Sequence, residues 1–321
     1  MRKNEVCIEL HTDDNYVIPT IITITSILQN KNKNSIYKIR VLGNNLSLEN
    51  ENLLKQLDIQ FIPHKNQFHQ FEGKHEFVSS TDLFKFDLPN VLADWDKVLY
   101  IDTDMIVQGD LSELFNTDLK DNYVAAVKDM AGMVSEKHHE KLNLPNYFNA
   151  GMMLLNLKKM RADDISQKLV DYKLHKDCGH FMSQDALNYV FNEQVVWLSP
   201  KYNYMASNLT TYSDDCICDF YEINPGELKN IKKHAVIIHL TNKFKPWKYK
   251  NVYGHKLWTK YKNKSICKNI KLTYDKVKKE KKRISILKRI FSIGNEFNKN
   301  AKHKVVNIFG IKFKFRKEFK K

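Results

Sequence analysis

DKVLYIDTDMIVQGDLSELF (96–115) carries two carboxylates, Asp102 and Asp104, in the middle of an apolar run. An ionised carboxylate leaves water at high cost unless something pairs with it. The segment in front of them, KVLYID (97–102), is continuously hydrophobic, the mark of a strand covered on both faces. In an open parallel sheet, ligands sit beyond the carboxyl ends of such strands. The two acids therefore point to an α/β fold with a cation or a reaction at the sheet's edge.

The surrounding chain supplies the rest of the sheet. EVCIEL (5–10) reads as a strand, HTDDNY (11–16) as a polar turn, and residues 17–28 as part of a buried helix ending near Gln29. IYKIRVLG (36–43) is a second strand closed by Gly43, and IQFIP (59–63) a third ended by Pro63. Between them, residues 46–57 have apolar positions at helical spacing after Ser47, a candidate N-cap. This β-α-β-α-β order is the pattern of a doubly wound parallel sheet. Further strands are predicted over 123–129, 151–157, 195–199 and 235–240, and a helix over 184–191. The expected fold class is α/β, with one Rossmann-like, mostly parallel central sheet and helices on both faces.

The 321 residues are 42% hydrophobic and 28% charged, as suits a globular body of one large or two smaller domains. No window holds about 18 consecutive apolar residues, so no membrane-spanning helix is expected. The first ten residues lack the apolar core of a secretory signal. Five cysteines are scattered along the chain, and Cys216 and Cys218 are too close for a CxxC pair. Reduced thiols in a cytoplasmic protein follow from that.

The net charge of +15 is uneven. Residues 262–321 hold 21 Lys/Arg against 4 Asp/Glu, a net of +17, and residues 1–261 are near neutral at −2. The chain is thus divided into a body (1–261) and a basic tail (262–321) that suits a polyanionic partner. The tail interleaves Ile290, Phe291, Ile308, Phe309, Phe313 and Phe315 with its cations. Residues 274–294 read as a helix with mixed basic and apolar faces, and 305–319 as an alternating extended segment. A peripheral anchor on an anionic leaflet, at the inner face of the cytoplasmic membrane, accounts for both features. Nucleic acid is not expected, because the body is near neutral and no recognition module is present.

Asp13, Asp102, Asp104, Asp129 and His239 all fall at or near strand ends. Two carboxylates two positions apart point the same way on an extended segment and repel unless a cation or proton lies between them. A divalent metal with oxygen ligands meets that need, and an added imidazole, His239, tilts the choice from Mg²⁺ toward Mn²⁺. A lone DxD is also common as a solvated turn.

DDNY (13–16), VLYIDTDMIV (98–107), YFNAGMMLLNL (147–157), SQDALN (183–188) and HLTNKFKPW (239–247) together resemble the family 8 glycosyltransferases, in the same order over roughly residues 5–250. The bacterial lipopolysaccharide galactosyl- and glucosyltransferases are the branch most similar. The resemblance implies a GT-A fold, with Asp102, Asp104 and His239 holding Mn²⁺ (Mg²⁺ as the alternative) against the diphosphate of UDP-galactose or UDP-glucose. Lys245 matches the lysine that contacts the phosphates. Asp13 and Asn15, with His11 and Thr12 beside them, match the uridine site. Thr103, Ala150, Gly151 and Asn242 fall along the donor site, and Asp129, Asn149, Gln184 and Asp185 match positions that grip the sugar. Gln184 also stands where a nucleophile would sit. A neutral amide is a poor one, so retention by front-face attack is expected, with Gln184 supporting the cationic transition state. The implied acceptor is a lipid-linked saccharide of lipopolysaccharide or another surface glycan.

Three positions depart from the family pattern. Ser183 replaces an acidic residue just before Gln184–Asp185, Lys85 stands where an arginine that touches the donor is expected, and Asn242 replaces a glycine. A phosphatase of the haloacid dehalogenase type, with Asp102 as nucleophile and Asp104 as acid/base, is the first competing reading. Its DxD, however, normally follows the first strand. A non-catalytic, membrane-bound sugar-binding protein is the second.

Overall fold

The computed structural model describes residues 5–65, 80–176, 183–241 and 243–275, together with the backbone of three strands within 291–318. The strands are β1 (Glu5–Asp13), β2 (Ile36–Asn44), β3 (Gln60–Pro63), β4 (Lys97–Ile101), β5 (Met105–Val107), β6 (Val124–Lys128), β7 (Phe148–Asn156), β8 (Val195–Trp197), β9 (Tyr204–Met205) and β10 (Ile237–His239). Seven form the central sheet in the order β3-β2-β1-β4-β7-β6-β8. β7 is antiparallel to both its neighbours, and the other adjacent pairs are parallel. The expected α/β architecture is present.

β1 and β7 are buried along nearly their whole length, as strands sandwiched between helices are. The helix Val17–Gln29 packs on the sheet and buries Val17, Ile21, Ile24 and Ile27 in the main core. Ser47 caps the helix Leu48–Leu54 by accepting the Asn50 N–H, as its sequence position predicts. The helix Gln184–Phe191 starts and stops where the pattern places it.

Several boundaries shift for identifiable reasons. β1 runs on through His11, Thr12 and Asp13, because β2 pairs with it in register as far as Asp13–Asn44. β7 begins at Phe148 rather than Gly151, since its first residue pairs with Lys128 of β6. Asn149 is therefore a strand residue. The segment 235–240 supplies β10, but to a separate small sheet, β5-β10-β9. The body's packing continues past Lys262: Cys267 is fully buried in the main core.

The tail strands β11 (Phe291–Asn298), β12 (Ala301–Ile308) and β13 (Ile311–Glu318) form an antiparallel sheet. Residues 291–294 are thus strand where a helix was expected; their apolar residues, Phe291 and Ile293, are spaced by two, the period of a strand. Residues 276–290, the remainder of that expected helix, lie outside the described residues. No helix among the described residues is long and apolar enough to cross a membrane. Cys7, Cys216, Cys218 and Cys267 are free and buried; Cys178 lies outside the described residues.

Candidate active site

The reversal of β7 decides what gathers at the carboxyl edge of the sheet. β1, β4 and β6 bring their C-terminal ends there, with Asp13, Asp102 and Asp129, while β7 brings its N-terminal end, with Asn149. Asp102 donates its backbone N–H to Gly151 O at 2.7 Å, and Asp129 to Tyr147 O at 2.9 Å.

Asp102 and Asp104 do not converge through the pleat of a strand. β4 stops at Ile101, β5 starts at Met105, and the acids lie on the turn between them. Thr23 of the Val17–Gln29 helix pins that turn, donating its hydroxyl to Thr103 O at 2.9 Å and to Met105 O at 2.8 Å. The small sheet brings in the third group. His239 pairs with Met105 across β5-β10, and Leu240 donates its N–H to Asp104 O at 2.9 Å. His239 Nε2 then lies 3.0 Å from Asp104 Oδ1 and 3.9 Å from Asp102 Oδ2.

Ligand atoms of Asp102, Asp104 and His239 all lie within 4.8 Å of one another, and among the described residues no other group of three His, Cys, Asp or Glu side chains does so. Two carboxylates and one imidazole match a divalent cation of the Mn²⁺ or Mg²⁺ kind. The backbone makes room for this cluster at Gly151, where a Cβ would collide with His239 Cε1 and come within 2.8 Å of Asp102 Oδ2.

Three more charges complete the electrostatics. Lys245 Nζ reaches Asp104 Oδ2 at 2.6 Å and Leu240 O at 2.7 Å, so it is paired with the site rather than solvated. Lys85 is almost fully buried, 2.5 Å from Asp82 Oδ1 and 3.5 Å from Asp102 Oδ1. Burial pushes the Asp102 carboxyl up, against the pull of Lys85, and Asp104 pushes it further. Burial works against charge at Asp104 too, but Lys245 and His239 outweigh it and hold that carboxyl far below the usual range. Lys85 stays charged despite burial, because Asp102 and Asp82 hold its ammonium above the ordinary value.

Asp13, at the end of β1, accepts the Asn15 N–H at 2.9 Å; Asn15 itself is exposed. Thr12 is buried and accepts the Thr20 hydroxyl. His11 is buried beside Glu9, with its ring against Tyr100. Burial pushes the Tyr16 phenol up to about 12, with the carboxylates of Asp104, Asp13 and Asp102 adding to the effect. The Val17–Gln29 helix ties the end of β1 to the DxD turn, through Thr20 to Thr12 and Thr23 to Thr103.

On the other flank, Gln184 Oε1 accepts the Ala150 N–H at 2.9 Å, and Gln184 Nε2 donates to Asp129 Oδ2 at 3.0 Å. Asn149 Nδ2 donates to the same oxygen at 3.1 Å. Asp185 is buried and accepts the Tyr147 hydroxyl at 2.5 Å. Asn242 lies outside the described residues.

Sequence reasoning missed four participants: Tyr100, whose hydroxyl donates to Asp102 Oδ1 at 2.5 Å; Asp82; Thr23; and Asn203, which touches both Asn149 and His239. Only the threonines among the apolar residues of 17–28 gave a signal, since a buried hydroxyl needs a partner.

The profile of glycosyl transferase family 8 matches residues 7–251. General stress protein A of Bacillus subtilis is 24% identical over 276 residues, covering 79% of this chain and 94% of its own. A lipopolysaccharide 1,2-glucosyltransferase of Escherichia coli is 26% identical over 277 residues, 77% of each chain. The matches to two further relatives cover 62% of each of those proteins. Among solved structures, galactosyltransferase LgtC in complex with donor and acceptor sugar analogues superposes with a TM-score of 0.69 at 25% identity, covering 81% of this chain and 96% of LgtC. The strand order, the acid turn facing a histidine from the small sheet, and this match over most of the body lead to one conclusion: the chain belongs to glycosyltransferase family 8.

Proposed function

We propose that the protein transfers a hexose, galactose or glucose, from UDP to a saccharide acceptor of lipopolysaccharide or another surface glycan, with retention of configuration. The observation that carries this reading is the Asp102–Asp104–His239 cluster with Lys245 against it. Mn²⁺ or Mg²⁺ held there supplies positive charge for the departing diphosphate. Lys245 is the side chain placed to follow the phosphates, since a flexible ammonium can leave Asp104 for a phosphate oxygen. Asp13, Asn15, His11 and Thr12 line the end of β1 that borders the cluster, the place for uridine. Asp129 and Asn149 are bonded to each other and to the Ala131, Gly132 and Gly151 N–H groups, so it is the second Asn149 Nδ2 proton and the remaining Asp129 lone pairs that we assign to sugar hydroxyls. Both polar atoms of the Gln184 amide are already hydrogen bonded, which supports a positioning role over nucleophilic attack. The proton of the acceptor hydroxyl then goes to the leaving diphosphate on the same face.

Incubation with UDP-galactose and UDP-glucose, with Mn²⁺ and with EDTA, tests this. UDP release that depends on the metal is the expected result. Phosphate release from phosphomonoesters, with no UDP release, would transfer the site to the competing phosphatase reading.

The tail completes the proposal. Its net charge of +17 and the alternation of Ile311, Phe313 and Phe315 with Lys312, Lys314 and Arg316 along β13 support attachment to an anionic membrane surface, at the inner face of the cytoplasmic membrane. Deleting residues 276–321 should abolish pelleting with anionic vesicles and spare hydrolysis of the soluble donor. Unchanged pelleting discards the anchor.

A further inference from the structure

Asn203 is fully buried just before β9, between Asn149 and His239. Its place in the hydrogen-bond network fixes which way its amide points. The backbone N–H of Gly151 can only donate, and it donates to Asn149 Oδ1 at 3.1 Å. The opposite end of the Asn149 amide, Nδ2, faces the Asp129 carboxylate at 3.1 Å. Asp129 is itself held by the N–H groups of Ala131 and Gly132 on Oδ1. Asn149 Oδ1 must therefore accept, and the Asn203 atom 2.9 Å from it is the donor Nδ2. Asn203 Oδ1 is then left facing His239 Nδ1 at 3.0 Å. An amide oxygen can only accept, so the ring proton belongs on Nδ1. Nε2 is thereby the nitrogen left to bind a cation held between it and the carboxylates of Asp102 and Asp104.

We infer that Asn203 is a positioning residue that sets the His239 tautomer, relaying a constraint that starts at the Gly151 and Gly132 backbone and ends on a metal ligand. A metal-binding imidazole needs its second nitrogen tied to an acceptor, which is ordinarily a carboxylate, carbonyl or water. Here a neutral amide does the task, and the same chain of bonds reaches Asp129 and, through it, Gln184. The inference rests on the reading that the cluster holds a divalent cation.

Binding of Mn²⁺ to the full-length protein, without nucleotide, can be followed by loss of the free-ion EPR signal, and Mg²⁺ binding by competition. Asn203→Leu removes both hydrogen bonds at similar volume and should weaken Mn²⁺ binding about tenfold or more. It should weaken Mg²⁺ binding less, because imidazole contributes more to Mn²⁺. Asn203→Asp keeps an acceptor for Nδ1–H and should recover part of the loss. In a His239→Ala background, Asn203→Leu should have no further effect. Equal losses for the two cations, an undiminished effect without His239, or no loss at all would overturn the inference. Independently of any variant, ¹⁵N shifts of the Mg²⁺-loaded wild type should place the His239 proton on Nδ1, and a proton on Nε2 alone would also overturn it. A wild-type protein that binds neither ion removes the cation site and the inference together. Normal binding with an indifferent Asn203→Leu removes the inference alone.

Discussion

Gly151 packs directly on the His239 ring, so that the smallest possible side chain at position 151 would strike Cε1. The same added carbon would press on Asp102 Oδ2 and Met105 Cε. Gly151→Ala should therefore damage the cation site before it damages the fold. Overpacking of this kind costs about 1–3 kcal/mol, here taken mainly from cation affinity. Mn²⁺ titration of the variant should show weaker binding with a nearly unchanged thermal midpoint; normal affinity would mean that β7 shifts freely.

Lys85 is a buried cation between two acids, and its removal leaves Asp82 and Asp102 without that charge. Lys85→Met should cost about 3–5 kcal/mol, the range for breaking a buried ion pair from one side. Urea unfolding measures it. A loss below the range for exposed pairs, about 1 kcal/mol, would show that water reaches Asp82 and Asp102.

Lys245 should matter for rate more than for stability. Its ammonium touches Asp104 and a backbone carbonyl and packs within reach of the Trp247 ring. Lys245→Ala should lower turnover by on the order of 10²–10³, the loss typical of one electrostatic contact to a developing negative charge. Circular dichroism should stay native. A change in KM with kcat preserved would place this lysine outside the transition state.

Asp110 gives a prediction for acid. Burial works to raise its pKa, but hydrogen bonds from the Asn32 and Ser112 N–H groups and the Tyr37 hydroxyl outweigh it and hold it low. A carboxyl held low in the folded state stabilises fully above its unfolded value of about 3.9, and that stability is lost as pH falls through the folded value. Asp110→Ala should cost about 1 kcal/mol near neutrality, since the group is partly solvated. The gap from wild type should narrow as urea unfolding is repeated at progressively lower pH. A constant gap would assign the cost to lost contacts rather than to charge.

The parts legible in the sequence were those with a strong local period or a strong chemical demand. The continuous apolar run of 97–101 gave β4, the mixed apolar segments 5–10 and 36–43 gave β1 and β2, and the cost of burying Asp102 and Asp104 pointed to a cation. The order of the sheet was not legible, because the pairing of β7 between β4 and β6 is a choice among distant partners. β7 also began three residues earlier than its apolar run suggests; Phe148 and Asn149 are held there by hydrogen bonds with Asn188 and Asp129. Asn203 was invisible, since a single asparagine between two tyrosines carries no pattern until its partners are known. The convergence of the DxD acids was expected from a pleat and comes from a turn, a difference that only the start of β5 at Met105 reveals.

Asp102, Asp104 and His239 reach one another from distant portions of the polypeptide, joined by the short ladder of β5 and β10. During synthesis the two acids emerge first, and the imidazole follows only after more than a hundred further residues have been made. A chain interrupted before β10 can build most of the large sheet and still have no third ligand. On the proposed reading of the cluster as a cation site, cation affinity thus reports that the chain has been made and folded at least through β10.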